Sequence, residues 1–277
     1  MKSNCRLCAV IIALLLFDLA IVGAARSFWN GQQGGYEPNG VGFFDTTLSV
    51  TPLTVSGTPT TMLCSYWALM PDISAIGPGA RFLNVQNTGT KFTNLQIVGG
   101  DTDIQGISEW AAVSASVTVD TSTSFWQVGY WYNVLVYMDV GHAQGSKVLQ
   151  QYINDVSANA NGVDNSPTQN FTFWNGATIT IGLVNANLSL ADLQCWLGAT
   201  TDLSVTANRR NFIDANKNPV NPTVAAATFG TPTLLFTGNA ASWTSGNQGS
   251  AGGTPTVTAG TITDVGWTPA GIPGLGP

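Results

Sequence analysis

Residues 60–70 read TTMLCSYWALM, and the extended strand they predict is bulky on both faces. Met62, Cys64, Tyr66 and Ala68 alternate with Leu63, Ser65, Trp67 and Leu69. A strand of this kind is buried on both sides, so it belongs inside a layered β domain. A second run of aromatic and β-branched residues, Trp131 to Asp139 (WYNVLVYMD), predicts another long strand.

The rest of the chain supplies shorter strands and turns. Phe82–Val85 and Phe92–Val98 predict two strands around an Asn87-Thr88-Gly89 turn. From Val113 to Val119 apolar and polar residues alternate strictly, as in a half-buried strand. Residues 147–156 (KVLQQYINDV) predict a strand that turns at Asn154-Asp155, a pair that tolerates positive φ. Phe171–Trp174 and Ala177–Leu183 predict two strands split by Asn175-Gly176, and Ala191–Gly198 a late one. Thr233–Phe236 and Thr256–Ile262 read as closing strands. One helix is expected over 205–215, capped by Ser204, with Phe212 and Ile213 packed down and Arg209 and Arg210 pointing outward. Residues 219–232 read as a long crossover loop.

Composition agrees with an all-β class. Only 9% of residues are charged, while 31 are Gly, 13 Pro, nine Trp and 12 Phe, which suits short strands joined by tight turns. The apolar content is too high for a disordered chain. A net charge of −6 with no basic patch argues against nucleic-acid partners and anionic lipid surfaces.

The N-terminus sets the expected location. Lys2 and Arg6 precede an apolar run from Leu7 to Ala25, the layout of a secretory signal peptide, although Asp18 interrupts it. A retained membrane anchor has the same length, so both readings of 1–25 stand. Membrane association is expected only through this segment. Residues 26–58 read as a loop with edge strands, 59–268 as the main domain and 269–277 as a frayed tail. Cleavage would remove Cys5 and Cys8 and leave Cys64 and Cys195, either as two buried thiols or as one disulfide in an oxidising compartment.

The WYNVLVYMD and KVLQQYINDV strands resemble those of the concanavalin A-like, LamG-type jelly roll. In that fold a strand running from Trp to Asp precedes a strand reading Tyr-x-Asn-Gly. Trp131 and Asp139 match the first, and Tyr152 and Asn154 the second, with Asp155 in place of Gly. Residues 60–70 look like the early strand of the fold. Residues 191–213 are similar to the late strand and short helix of LamG-like proteins of phages, prophages and their bacterial hosts. The resemblance implies a two-sheet antiparallel jelly-roll sandwich with a short helix near 204–215.

Such domains include glycosidases, whose chemistry needs two carboxyl groups about 5–9.5 Å apart. The Glu-x-Asp-x-x-Glu run of the glucanase members is absent, and Glu37 and Glu109, the only Glu residues, are far apart in sequence. The single His, His142, stands in a turn with no Gly-x-Ser-x-Gly nearby. The chain therefore reads as a non-enzyme. Relatives of the fold hold calcium through loop carboxylates, which makes Asp101, Asp103, Asp139 and Asp155 candidate ligands. Glycan binding needs an exposed aromatic platform, and Trp110, Trp126 and Trp243 lie near turns, whereas Trp67, Trp131, Trp174 and Trp196 read as core. The expected role is a glycan-binding or surface-decorating jelly roll, outside the cytoplasm or on a virion. The alternatives are a self-assembling capsid or surface protein, with homo-oligomer or virion partners, and a glycoside hydrolase or lyase with atypical carboxylates.

Overall fold

The computed structural model describes residues 36–44, 46–69, 80–87, 91–97, 104–110, 115–120, 129–158, 163–164, 167–182, 187–258 and 260–267. The chain divides into two units, residues 1–37 and 38–277. The N-terminal segment 1–25, with its two readings, lies outside the described residues. Among the described residues no helix is long and apolar enough to cross a membrane.

The second unit is a two-sheet antiparallel jelly-roll sandwich. In chain order its strands are β1 (Gly40–Phe44), β2 (Thr47–Thr51), β3 (Thr61–Leu69), β4 (Ala80–Gln86), β5 (Lys91–Ile97), β6 (Ile104–Trp110), β7 (Ala115–Asp120) and β8 (Trp131–Asp139). They continue as β9 (Val148–Ile153), β10 (Val156–Ser157), β11 (Val163–Asp164), β12 (Thr178–Ile181), β13 (Asn187–Leu197), β14 (Leu234–Phe236), β15 (Thr254–Thr258) and β16 (Thr261–Val265). The first sheet runs β10-β9-β8-β3-β13-β1-β16, with β14 also on β13; the second runs β11-β7-β6-β5-β4-β12-β2-β15.

β3 sits at the middle of the first sheet. Its Met62, Cys64, Tyr66 and Ala68 join Tyr132, Val134, Val136 and Met138 of β8 in the core shared with Leu83, Val85 and Ile179 of the second sheet. Its other face meets a separate layer. Leu63 packs with Leu135, Trp196, Phe212 and Ala225, and Trp67 with Trp131 and Ile213. The double-faced pattern of residues 60–70 thus has cover on both sides. Each large side chain so buried contributes roughly 1.5–3 kcal/mol.

Cys64 and Cys195 form a disulfide between directly opposed residues of β3 and β13, with Cα atoms 4.2 Å apart. That spacing is close to the non-hydrogen-bonded pair of an antiparallel ladder. The bridge replaces the two-thiol reading. Beyond it β13 bulges between Ala191 and Gln194. Asp192 takes a positive φ of 47° there and accepts a hydrogen bond from the Thr237 hydroxyl. The bulge lets one β13 edge serve two partners, β1 through residues 187–190 and β14 through 193–195.

Several expectations fail on tertiary grounds. The N-terminal strands β1 and β2 are not edges, because β16 and β15 return to flank them. Residues 172–174 form a 3₁₀ turn, not a strand; Phe171 and Trp174 are buried, and the Trp174 indole donates to the Thr93 hydroxyl. The helix expected over 205–215 is only α1 (Thr206–Arg209), and Ser204 does not cap it. Asp202 organises this turn instead, accepting from the Ser204 amide and from Gln150 on β9. Residues 222–229 are not loop but α2 (Pro222–Phe229), capped by Asn221 with Pro at its start. A further short helix, α3 (Ala240–Thr244), carries Trp243.

Candidate functional site

The outer face of the first sheet is where polar, charged and aromatic side chains meet. Odd-numbered residues of β3 and β8 point to it, because their even-numbered neighbours fill the core between the sheets. Trp67 and Trp131 lie at one end of this face. Trp267, two residues beyond β16, closes over both, 5.3 Å from Trp67 edge-on and 4.9 Å from Trp131 at 31°. Trp67 and Trp131 are buried, whereas Trp267 is half-buried and forms the outer rim. Gly40 makes the arrangement feasible: a Cβ there would stand 2.7 Å from the Trp131 six-membered ring. The Trp131 indole N–H is buried and has no hydrogen-bond partner among the described residues.

A polar row adjoins the aromatic cluster. Trp67 is directly opposite Asn133, and Ser65 directly opposite Gln194. The Oδ1 of Asn133 and Oε1 of Gln194 are buried and without partners among the described residues. Buried oxygens of this kind ordinarily take a partner, and ordered water is one such partner. Asn133 is held by the β9–β10 turn, since its amide donates to Asn154 Oδ1 at 2.8 Å and its carbonyl accepts from the Asn154 amide at 2.9 Å. Asn154 and Asp155 take φ values of 46° and 69°, the left-handed turn the sequence anticipates.

Asp155 is locked rather than available. Arg209 and Arg210 both donate to it, Arg210 at 2.7 Å. Arg209 also lies 4.4 Å from the Tyr152 ring centroid and donates to the Leu203 carbonyl. Burial works against the Asp155 charge, but the two guanidinium groups outweigh it and hold the carboxyl below its usual range. Arg209 therefore points inward, contrary to the outward orientation expected from its helix face, because the partly buried Asp155 carboxylate awaits it. Arg210 stays partly exposed and reaches the carbonyl of Ile213, which packs against Trp67 and Trp131.

Among the described residues, Trp243 and Asp139 do not converge here. Trp243 is fully buried between Phe43 and Phe236 and offers no platform, since α3 turns it into the core. Trp110 ends β6 opposite Ala115 and Lys91. Trp126, Asp101 and Asp103 lie outside the described residues. Asp139 accepts from the Gly141 amide at 3.0 Å and pairs with His142 at 3.1 Å across an exposed turn. It lies six residues along β8 from Asn133, which anchors Asp155's turn, so about 20 Å separates the two carboxylates' regions. No group of three or more potential ligands able to hold a metal occurs among the described residues. With both Asp155 oxygens taken by arginines, Asp139 and Asp155 do not form a calcium site. The remaining acids serve local structure: Asp164 takes the buried Lys147 ammonium at 2.6 Å, and Asp214 accepts amides of its own turn.

Trp267 is the site residue that sequence reading missed. Its signal is faint, a Gly-Trp pair just after a β-branched run, where chain position suggests a fraying end.

No protein-family model matches the chain, and no curated protein matches it. Solved structures do. A presumed carbohydrate-binding protein of Bacteroides ovatus superposes with a TM-score of 0.50 at 13% identity, over 83% of this chain and 61% of that one. Mouse laminin alpha1 domains LG4-5 superpose at 0.41 and 9% identity, over 59% and 43%. The botulinum neurotoxin serotype D binding domain gives 0.41 and 14%, over 63% and 46%. The chain spans between about a third and six-tenths of the length of the solved chains it matches. At 13% identity the likeness to the Bacteroides ovatus protein establishes the two-sheet jelly-roll fold and nothing beyond the fold.

Proposed function

We propose that this chain is a non-catalytic binding module that takes surface glycan on the outer face of its first sheet, and that it works outside the cytoplasm or on a virion. The half-buried Trp267, packed at 31° on Trp131, carries this reading, and Arg210 reaches the carbonyl of Ile213 in the same cluster. A sugar ring presents C–H groups on one face and hydroxyls around its rim. An indole receives the first, and charged or amide side chains the second. The fold shared with the Bacteroides ovatus protein supports the same class of ligand.

The non-catalytic part rests on the carboxylates. Those of Asp139, Asp155, Asp164, Asp192, Asp202, Asp214 and Asp264 each accept hydrogen bonds from a nearby turn, strand or helix. Among the described residues these seven carboxylates are engaged by their own fold. The extracellular setting is supported by the disulfide, which persists in oxidising compartments. The virion alternative rests on the resemblance of residues 191–213.

A glycan array on the native protein tests the proposal. Binding to at least one glycan is expected, and Trp267→Ala should reduce it about tenfold or more while the circular dichroism spectrum of the folded protein is retained. No release of reducing ends is expected from the bound polysaccharide. A blank array, or binding indifferent to Trp267→Ala, would refute the assignment.

A further inference from the structure

The flank made by β15 and β16 leaves an open edge on each sheet. Among the described strands β15 pairs only with β2, and β16 only with β1. Alternate N–H and C=O groups of each therefore face away from every described strand. Proteins ordinarily guard such edges with Lys, Pro or a bulge. β15 carries Pro255, which guards it. β16, TITDV, carries no Lys, Pro or bulge and a single charge, Asp264, and its register with β1 is unbroken from Gly40↔Val265 to Phe44↔Thr261.

The chemistry of this edge is that of a surface made to meet itself. Residues 218–277 contain a single charged side chain, Asp264. Its carboxylate accepts the Ala240 amide of α3, so it is occupied by its own fold. Thr261 and Thr263 are exposed. On the outer face Phe44, 38% exposed, lies over Gly42 beside Val265; a Cβ at Gly42 would meet both side chains within 2.7 Å. An apolar strip thus runs along the open edge.

We propose that β16 is a contact between two copies of this chain, pairing antiparallel with its counterpart across a twofold axis at Thr263. The first sheet then continues into the second copy. Centring at Thr263 sets Thr261 against the partner's Val265 and Ile262 against the partner's Asp264, so no like charges face each other. It also places Phe44 one strand from the partner's Val265, next to the apolar strip. A strongly charged partner would find almost no countercharge on this flank, whereas a second copy matches it residue for residue. Five residues make a small interface, so the dimer is weak and depends on concentration.

The test uses the full chain with the N-terminus the cell leaves on it. Light scattering across a dilution series should show a monomer–dimer equilibrium. Thr263→Lys sets two ammonium groups face to face and should raise the dissociation constant at least about tenfold, with the circular dichroism spectrum unchanged. Thr256→Lys, on the neighbouring β15, should leave the equilibrium as it was. A monomer at every concentration overturns the proposal. So does a dimer that survives Thr263→Lys, which would place the contact elsewhere, residues 1–25 included, or one that Thr256→Lys weakens equally.

Discussion

At one flank of the sandwich the β9–β10 hairpin holds Asp155 under Arg209 and Arg210, and Lys147 reaches across to Asp164 on β11 of the other sheet. At the opposite flank β15 and β16 present ten residues with one charge between them, Asp264. The first flank ends in strands of two residues, β10 and β11, while the second ends in strands of five. The charged flank protects its edges by being short and by buried ion pairs that tie layers together. The uncharged flank has only Pro255 for protection and a row of Thr, Val and Ile. The contrast teaches that one sandwich can use charge on one side to fix its own layers and withhold charge on the other to leave a surface for contact.

The strongest perturbation should come from the strands that join these flanks. Removing the Cys64–Cys195 bridge by paired Ser substitutions releases a link across 131 residues of sequence. Chain entropy alone puts its contribution at about 5 kcal/mol. Urea unfolding should show that loss, and an oxidised protein no more stable than its reduced form would break the picture of a shared rigid centre. Next, Asp155→Ala leaves two arginines facing a partly buried site without their counter-ion. Roughly 1–2 kcal/mol should be lost, since the site is only partly buried and solvent screens part of the pairing. Hydrogen exchange should then quicken in residues 199–213 before it changes in β15 or β16. Equal quickening on both flanks would erase the distinction drawn between them.

The smallest expected effect is the pH dependence, and it should be one-sided. Asp155 and Asp164 keep lowered pKa values because, against burial, Arg210 and Arg209 hydrogen-bond the first and Lys147 the second. Asp202 is lowered by hydrogen bonds from Gln150 and Ser204. A carboxyl whose folded pKa lies below its unfolded value adds stability above about pH 4 and loses it as pH falls through the folded value. The melting temperature should therefore decline on acidification below about pH 4, less steeply in Asp155→Asn.

Local sequence already contained much of this molecule. The two-faced pattern of residues 60–70, the run Trp131–Asp139 and the Asn154-Asp155 turn each follow from side-chain alternation and backbone preference over a few residues, and β3, β8 and the β9–β10 hairpin match them. The burial of Trp67, Trp131, Trp174 and Trp196 follows from the same alternation and from the area an indole removes from water. Where a short segment's fate depends on a distant partner, the local pattern misleads. β6 contains Gly106 and Ser108 and shows little alternation; it becomes a strand because β5 and β7 pair with both its edges. α2 hid behind Pro219 and Pro222, though Asn221-Pro222 is itself a helix-start signal, and its Phe229 finds a place by packing 5.7 Å from Phe212 and 5.8 Å from Trp196.

By itself, then, the sequence determined an all-β chain with double-faced central strands, a left-handed hairpin turn and few charges, since these depend on backbone preference and on periodicity within one element. Tertiary structure decided which carboxylate meets which arginine, that Cys64 and Cys195 stand opposite each other, that Trp243 turns inward while Trp267 forms a rim, and that β16 becomes an edge. Those outcomes depend on strand order. Strand order brings together residues such as Gly40, Trp131 and Trp267, which are far apart in the chain and become neighbours only when the sheets close.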